Sequence, residues 1–415
     1  MLSFLTPSLL TLLLPLTASA LPFRPRAVED KIAAAFYTGW HAGDVPLTSV
    51  SWDKYNTVIY SFALTTPDVR TLSLNGSDAS LLPEFVTQAH AHGVSAHISV
   101  GGWSGSKYFS SHFQSAENRT AFANTVLGLL NEYELDGVNF DWEFPGVQGI
   151  GCNVVNPNDT ANYLALLQEF RATVSGKKIT VSATTPLLPF RNTNGQPSSD
   201  VSEFAKVLDF ISIMDYDVNG SWSPRVGPNS PLDDSCAETS YQLGSAASAV
   251  KAWHAAGFPL NKTVLAVPSY GRSYYVAPSD AFANNTKDLA PYPPFNKNKC
   301  PLGDGWDNST SVDACGVSQP SGGSWNFRGL VAGGLLGDDG KPVQGIYYRY
   351  DNCSKTPYLY NENTQVMISY DDAESYAAKG QFIEELGLYG FVLWEAGGDY
   401  DDILLSAIQS TSGFN

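Results

Sequence analysis

Short runs of β-branched and aromatic residues recur along this 415-residue chain, separated by helix-forming stretches, and that rhythm leaves few folds open. The strand-like runs are Ile32–Tyr37, Thr57–Ala63, Val94–Val100, Gly137–Glu143, Ile179–Thr184, Phe210–Tyr216, Val264–Pro268 and Gly390–Trp394. Capped stretches with helical apolar periodicity lie between them, among them Asn118–Tyr133 and Thr160–Thr173. Eight strands alternating with helices predict an α/β fold, the (β/α)8 TIM barrel. The rhythm breaks once, between Tyr270 and Tyr370, in about a hundred residues rich in Gly, Pro, Asn and Asp. That is too long for a loop in a compact domain. A small α+β insertion domain is therefore expected over residues 273–365, between strand seven and its helix. The barrel would be built from residues 21–272 and 366–415.

Chemistry concentrates in Leu135-Asp136-Gly137-Val138-Asn139-Phe140-Asp141-Trp142-Glu143-Phe144-Pro145-Gly146. Side chains alternate along a strand, so Val138, Phe140 and Trp142 share one face and Asn139, Asp141 and Glu143 the other. The apolar set suits the layer between sheet and helices, and the polar set would point into the barrel. Same-face neighbours lie about 7 Å apart, close enough for their side chains to meet. Phe144-Pro145-Gly146 ends the strand and leaves Glu143 on the rim where barrel active sites form. A carboxylic acid held there, screened by aromatics and beside a second carboxylate, favours its neutral form and can protonate a leaving oxygen. A solvated acidic strand face is the plainer alternative, but unpaired polar groups aimed into a barrel core would be costly without a function. Asp136 is expected to support the strand through hydrogen bonds.

This segment resembles the Asp-Gly-x-Asp-x-Asp-x-Glu signature of family 18 glycoside hydrolases, the chitinase family, and further landmarks fall in order. Phe36-Tyr37-Thr38-Gly39-Trp40 resembles the family's first strand and Ser99-Val100-Gly101-Gly102-Trp103 its third. Met214-Asp215-Tyr216-Asp217 resembles strand six, and Pro268-Ser269-Tyr270-Gly271-Arg272 strand seven. Ser369-Tyr370-Asp371-Asp372 resembles the exit from the insertion, and Trp394 the floor tryptophan of strand eight. The resemblance implies hydrolysis of β-1,4-linked N-acetylglucosamine polymers with retention, assisted by the substrate's own acetamido group. Glu143 would be the general acid and base. Asp141 would orient the acetamido N–H, Tyr216 would donate to its oxygen, Asp217 would bind the ring, and Trp394 would lie under the distorted sugar. Tyr37, Trp103, Met214, Tyr270 and Arg272 would also meet substrate. On spacing alone, Tyr216 and Trp394 read as ordinary core residues, and only the register of the family landmarks points them at substrate. Asn139 departs from the pattern, which has Asp there. Its amide could still donate to Asp141, and loss of a like charge would let Asp141 ionise more easily. Two other activities stay open: a lectin that binds the polymer without cutting it, and an endo-β-N-acetylglucosaminidase acting on N-glycans.

A net charge of −17 argues against nucleic acid or an anionic membrane as the partner and is compatible with a neutral sugar polymer. No metal site or cofactor motif is found: His90 and His92 lack zinc spacing, and no Walker loop or Gly-x-Ser-x-Gly elbow occurs. Trp40, Trp103 and Trp222 follow predicted strands, where they could stack on sugars or simply pack loops. Residues 1–20 carry no charged side chain and end in Ala18-Ser19-Ala20 after an apolar run, as a cleaved secretory leader does. Sequons at Asn75, Asn118, Asn158, Asn219, Asn261, Asn284, Asn308 and Asn352 fit a secreted glycoprotein, expected to act as a monomer. Five cysteines predict two disulfides and one free thiol, with Cys152–Cys236 and Cys300–Cys315 as the expected pairs.

Overall fold

A computed structural model describes residues 31–174, 179–283 and 286–414; the expected leader and the Asn284 sequon lie outside them. Among the described residues, eight strands close a parallel barrel: Ile32–Thr38, Thr57–Thr65, Ser95–Gly101, Gly137–Asp141, Thr180–Thr185, Phe210–Met214, Thr263–Pro268 and Gly390–Trp394. Closure comes from the first strand, which pairs with the second through Ala34 and Thr57 and with the eighth through Ile32 and Gly390. This is the expected TIM barrel.

Two apolar layers hold it together, and strand alternation assigns the residues to each. Inside the barrel Ala34, Phe36, Ile59, Phe210, Val264 and Val392 pack together. Outside, Val138, Phe140 and Trp142 join the larger core under the helices. The Ala116–Glu132 helix begins at Ser115, whose hydroxyl accepts the Asn118 N–H (3.1 Å). The Ala373–Glu385 helix begins at Asp372, which takes the Glu374 and Ser375 N–H groups (both 3.0 Å) and completes a capping box with Ser375. Asp136 braces the barrel as expected: its carboxylate accepts from the Ala96 N–H and the His90 ring (both 2.8 Å).

The insertion follows strand seven without a break. Its five-stranded antiparallel sheet runs in the order Ser324–Asn326, Tyr270–Tyr275, Val366–Ser369, Thr356–Asn361, Tyr347–Asp351. Tyr270–Arg272 and Val366–Ser369 thus lie in this sheet, on either side of the 273 and 365 limits read from the sequence.

The cysteine arithmetic holds, but the pairing does not. The bonds are Cys152–Cys315 and Cys236–Cys353, with Cys300 free, rather than Cys152–Cys236 and Cys300–Cys315. The insertion folds back over the barrel loops, so each bond joins one barrel loop to the insertion. Of the described sequons, Asn75, Asn158, Asn261, Asn308 and Asn352 are exposed and Asn118 is half-buried. Asn219 is a correction. Its side chain is buried, with its amide donating to the Pro228 carbonyl (3.1 Å), so the folded chain has no room for a glycan there.

Candidate active site

At the C-terminal mouth of the barrel lies a cleft of about 1160 Å³. The fourth strand delivers its chemistry. Pairing ends at Asp141, opposite Gly101 and Thr184, so Glu143 stands two residues past the last rung. The strand read as running to Glu143 is therefore shorter, and the acid is freed onto the rim. Gly101 permits the approach of strands three and four: its φ is +112°, and a Cβ there would sit 2.1 Å from the Asp141 carbonyl oxygen. Ser106 then fastens the turn, its hydroxyl donating to that carbonyl (3.0 Å) and accepting the Glu143 N–H (2.9 Å). Asn153 donates to the Glu143 carbonyl (3.1 Å).

Asp141 and Glu143 both line the cleft. Burial, then the nearby Asp141 and Asp217 carboxylates, hold the Glu143 carboxyl well above the usual carboxylate range. A group in that state is a proton donor at neutral pH. Burial pushes Asp141 up to about 7. Among the described residues, one of its oxygens, Oδ1, is buried without a hydrogen-bond partner.

Asn139 explains that vacancy. Its amide donates to Ser99 Oγ (2.9 Å) and Thr184 Oγ1 (2.8 Å), and its carbonyl accepts from Ser182 (3.1 Å). Both amide protons are spent, so the expected bond from Asn139 to Asp141 is absent. Nor is Asp141 an easy acid, because desolvation outweighs the loss of a like-charged neighbour. A pH dependence follows. A mechanism that needs Asp141 ionised and Glu143 protonated gains rate as pH rises through about 7 and loses it when Glu143 gives up its proton at higher pH. In Asn139→Asp the new buried carboxyl stays neutral and can donate its proton to Asp141, favouring the carboxylate. The acid limb of kcat/KM against pH should then move down by roughly one unit. Superimposable profiles would remove this role for Asn139.

Strand six ends at Met214, and Tyr216 and Asp217 follow it into the cleft with Met214. Asp217 turns the chain outward with φ +55°, its N–H donating to Asn229 Oδ1 (3.1 Å). Burial raises the Tyr216 hydroxyl well above its ordinary range, which keeps it a donor. Arg272 binds Asp217 through Nε (2.7 Å) and Nη2 (2.6 Å), and its guanidinium covers Trp222 and Tyr270 at 5.5 and 5.3 Å from their ring centroids. Trp394 forms the floor, stacked on Phe62 (5.5 Å) and meeting Phe36 edge-on (5.2 Å).

Trp40, Trp103 and Trp222 keep 44%, 51% and 57% of their surface exposed, and all three line the cleft rather than packing inside the loops. Tyr37, expected to meet substrate, is not among the residues that line the cleft. It points away from the cleft, stacked on Phe85 with its hydroxyl donating to the Val45 carbonyl (2.8 Å). Phe36 is the strand-one residue that reaches the floor. Sequence reasoning also missed Phe62, Leu187, Leu188, Arg191 and Leu243, which complete the walls. Phe62 lies within strand two, and the loops that hold the other four carry no pattern that marks them.

Residues 32–399 match the sequence family described as glycosyl hydrolases family 18. A chitinase-like effector of Moniliophthora perniciosa is 49% identical over 385 residues, covering 92% of this chain and 87% of that protein. Chitinase A1 of Niallia circulans is 32% identical over 75% of this chain and 42% of its own length. Among solved structures, a chitinase from Rhizomucor miehei superimposes with a TM-score of 0.83 at 35% identity, over 92% of this chain and all of that one.

Proposed function

This chain belongs to glycosyl hydrolase family 18, and from that premise we propose that it hydrolyses β-1,4-linked N-acetylglucosamine polymers with retention of configuration. The observation that carries the reading is the placement of Glu143 with Asp141 and Asp217 in one cleft lined with tryptophans, where burial and the two acidic neighbours favour the protonated form of its carboxyl.

Glu143 gives its proton to the glycosidic oxygen as the C1–O bond breaks. The substrate's acetamido oxygen closes on C1 and forms a cyclic oxazolinium ion. Asp141, as the carboxylate, accepts the acetamido N–H and offsets the growing positive charge. Tyr216 donates to the acetamido oxygen and holds it toward C1. Water then attacks C1 as the bond from C1 to the acetamido oxygen breaks and the acetamido group reforms, and the water's proton passes to Glu143, which restores the acid. Asp217, fixed by Arg272, binds the ring, and Trp394 supports it from below. Met214, Trp103 and Tyr270 fill the remaining walls. The reaction asks for no metal or cofactor. The two disulfides suit an oxidising compartment, and we extend the proposal to secretion.

A second reading has a specific support. Relatives 49% and 46% identical are named chitinase-like effectors, and Asn139 leaves Asp141 without the partner that the family pattern supplies. On that reading the cleft holds the oligomer without cutting it. Incubation with N-acetylglucosamine hexamer, scored for new reducing ends and for their anomer, separates the two. Release of β-anomeric ends supports hydrolysis. Tight binding with no new ends at any pH from roughly 5 to 9 would leave the binding reading standing alone.

A further inference from the structure

Residues 308–320 leave the insertion as a narrow tongue. At its base Ser321 Oγ donates to the Asp307 carbonyl (2.5 Å), and the Asp307 carboxylate takes the N–H groups of Gly322 (2.9 Å) and Ser324 (2.6 Å). That base stands on the strand-seven wall of the cleft, because Ser324 pairs with Arg272 and its hydroxyl accepts from Arg272 Nη1 (2.8 Å). Farther out, Ser311–Val312 pairs with Ser318–Gln319. They flank a turn in which Asp313 Oδ1 accepts the N–H groups of Cys315 and Val317 (both 2.9 Å).

The turn is fixed to the opposite side. Cys315 is bonded to Cys152, in the loop after strand four and next to the Asn153 that holds the Glu143 carbonyl. The Ala314 carbonyl accepts from Lys107 Nζ (3.5 Å), in the segment after strand three that also carries Trp103. Strands three and four face strand seven across the barrel. Six extended residues reach about 20 Å, enough for a tongue rooted on one wall and bonded to the other to span the mouth between them.

We infer that this tongue is a fixed bar over the cleft that admits chain ends and short oligomers and excludes the interior of a long polymer. The inference rests on the reading of the cleft as a sugar-chain site. Its cause is topological: a continuous chain can be laid into an open groove, but beneath a closed bar it must be threaded from an end. A covalent bond at the tip separates this bar from a lid that opens and shuts during turnover. The exposed Val312 and Val317 ride on the tongue itself.

The test compares the native chain with a Cys152→Ser/Cys315→Ser variant, using N-acetylglucosamine hexamer and soluble glycol chitin as probes. Both are measured for association rate in a Glu143→Gln background, and for viscosity lost per reducing end in the active background. Freeing the tip should raise glycol-chitin association tenfold or more and leave hexamer binding within twofold. Viscosity loss per bond cut should rise by a similar factor. Equal ratios in the two proteins would overturn the inference. If the double serine variant fails to fold, a chain in which two glycines replace residues 309–319, with Cys152→Ser, takes the same measurements. Hexamer bound but never cut, in any variant, defeats the hydrolysis reading alone, and the association rates still decide the tongue. A native protein that does not bind hexamer sinks both.

Discussion

Replacing Glu143 with Gln should lower kcat on N-acetylglucosamine oligomers by about 10²–10⁴ while KM stays within about threefold. Gln keeps the size and shape of the side chain but has no proton to give, so leaving-group departure loses its acid and ground-state contacts survive. The expected kcat loss with unchanged KM is the signature of an interaction made only in the transition state. The environment makes the change clean. The Glu143 backbone is held by Ser106 and Asn153, and neither contact involves its carboxyl group. A variant retaining more than a tenth of the native kcat would remove Glu143 from the chemistry. A large rise in KM with kcat intact would make it a binding residue instead.

Much of this site was legible in the sequence because strand alternation is a strict rule. Once Val138, Phe140 and Trp142 were placed toward the helices, Asn139, Asp141 and Glu143 had to face the barrel and its mouth, and the first two are buried inside it. The same rule would have corrected Tyr37. It lies in register with Ala33 and Ala35 on the helix side, while Ala34 and Phe36 point inward. Alanines on both faces of that strand hide the parity, since neither face reads as the bulky one. The disulfides were illegible for a different reason. Which cysteine meets which depends on where a hundred-residue insertion returns to the barrel, and sequence spacing carries no record of that path. The hydrogen bonds of Asn139 were equally out of reach, because Ser99, Ser182 and Thr184 come from the two flanking strands and only the closed register brings them around one amide.

Replacing Lys379 with Met should destabilise the fold by about 3–5 kcal/mol, the usual cost of removing one partner from a buried ion pair. Lys379 is fully buried. Its ammonium donates to Asp371 Oδ1 and Ser230 Oγ (both 2.6 Å), and Ser230 donates in turn to Asp215 Oδ2 (3.2 Å). Burial raises both carboxyls, Asp215 to about 7, and in each case the Lys379 charge pulls the other way. Without it, two buried acids face no cation, and at neutral pH they must take up protons or draw in water. At an unfolding entropy of about 2 cal/mol/K per residue, the loss corresponds to a thermal midpoint roughly 5 °C lower. Adding Asp371→Asn to the Met variant should recover part of it, because the uncompensated charge goes with it; a double variant no more stable than the single would show that packing, not charge, is what Lys379 supplies. The network also bears on the cleft. Asp215 lies between Met214 and Tyr216, so a collapse beneath it shifts the Tyr216 hydroxyl, which the proposed mechanism sets against the acetamido group. The folded Met variant should therefore lose kcat as well as stability, and restored stability in the double variant should bring kcat back with it.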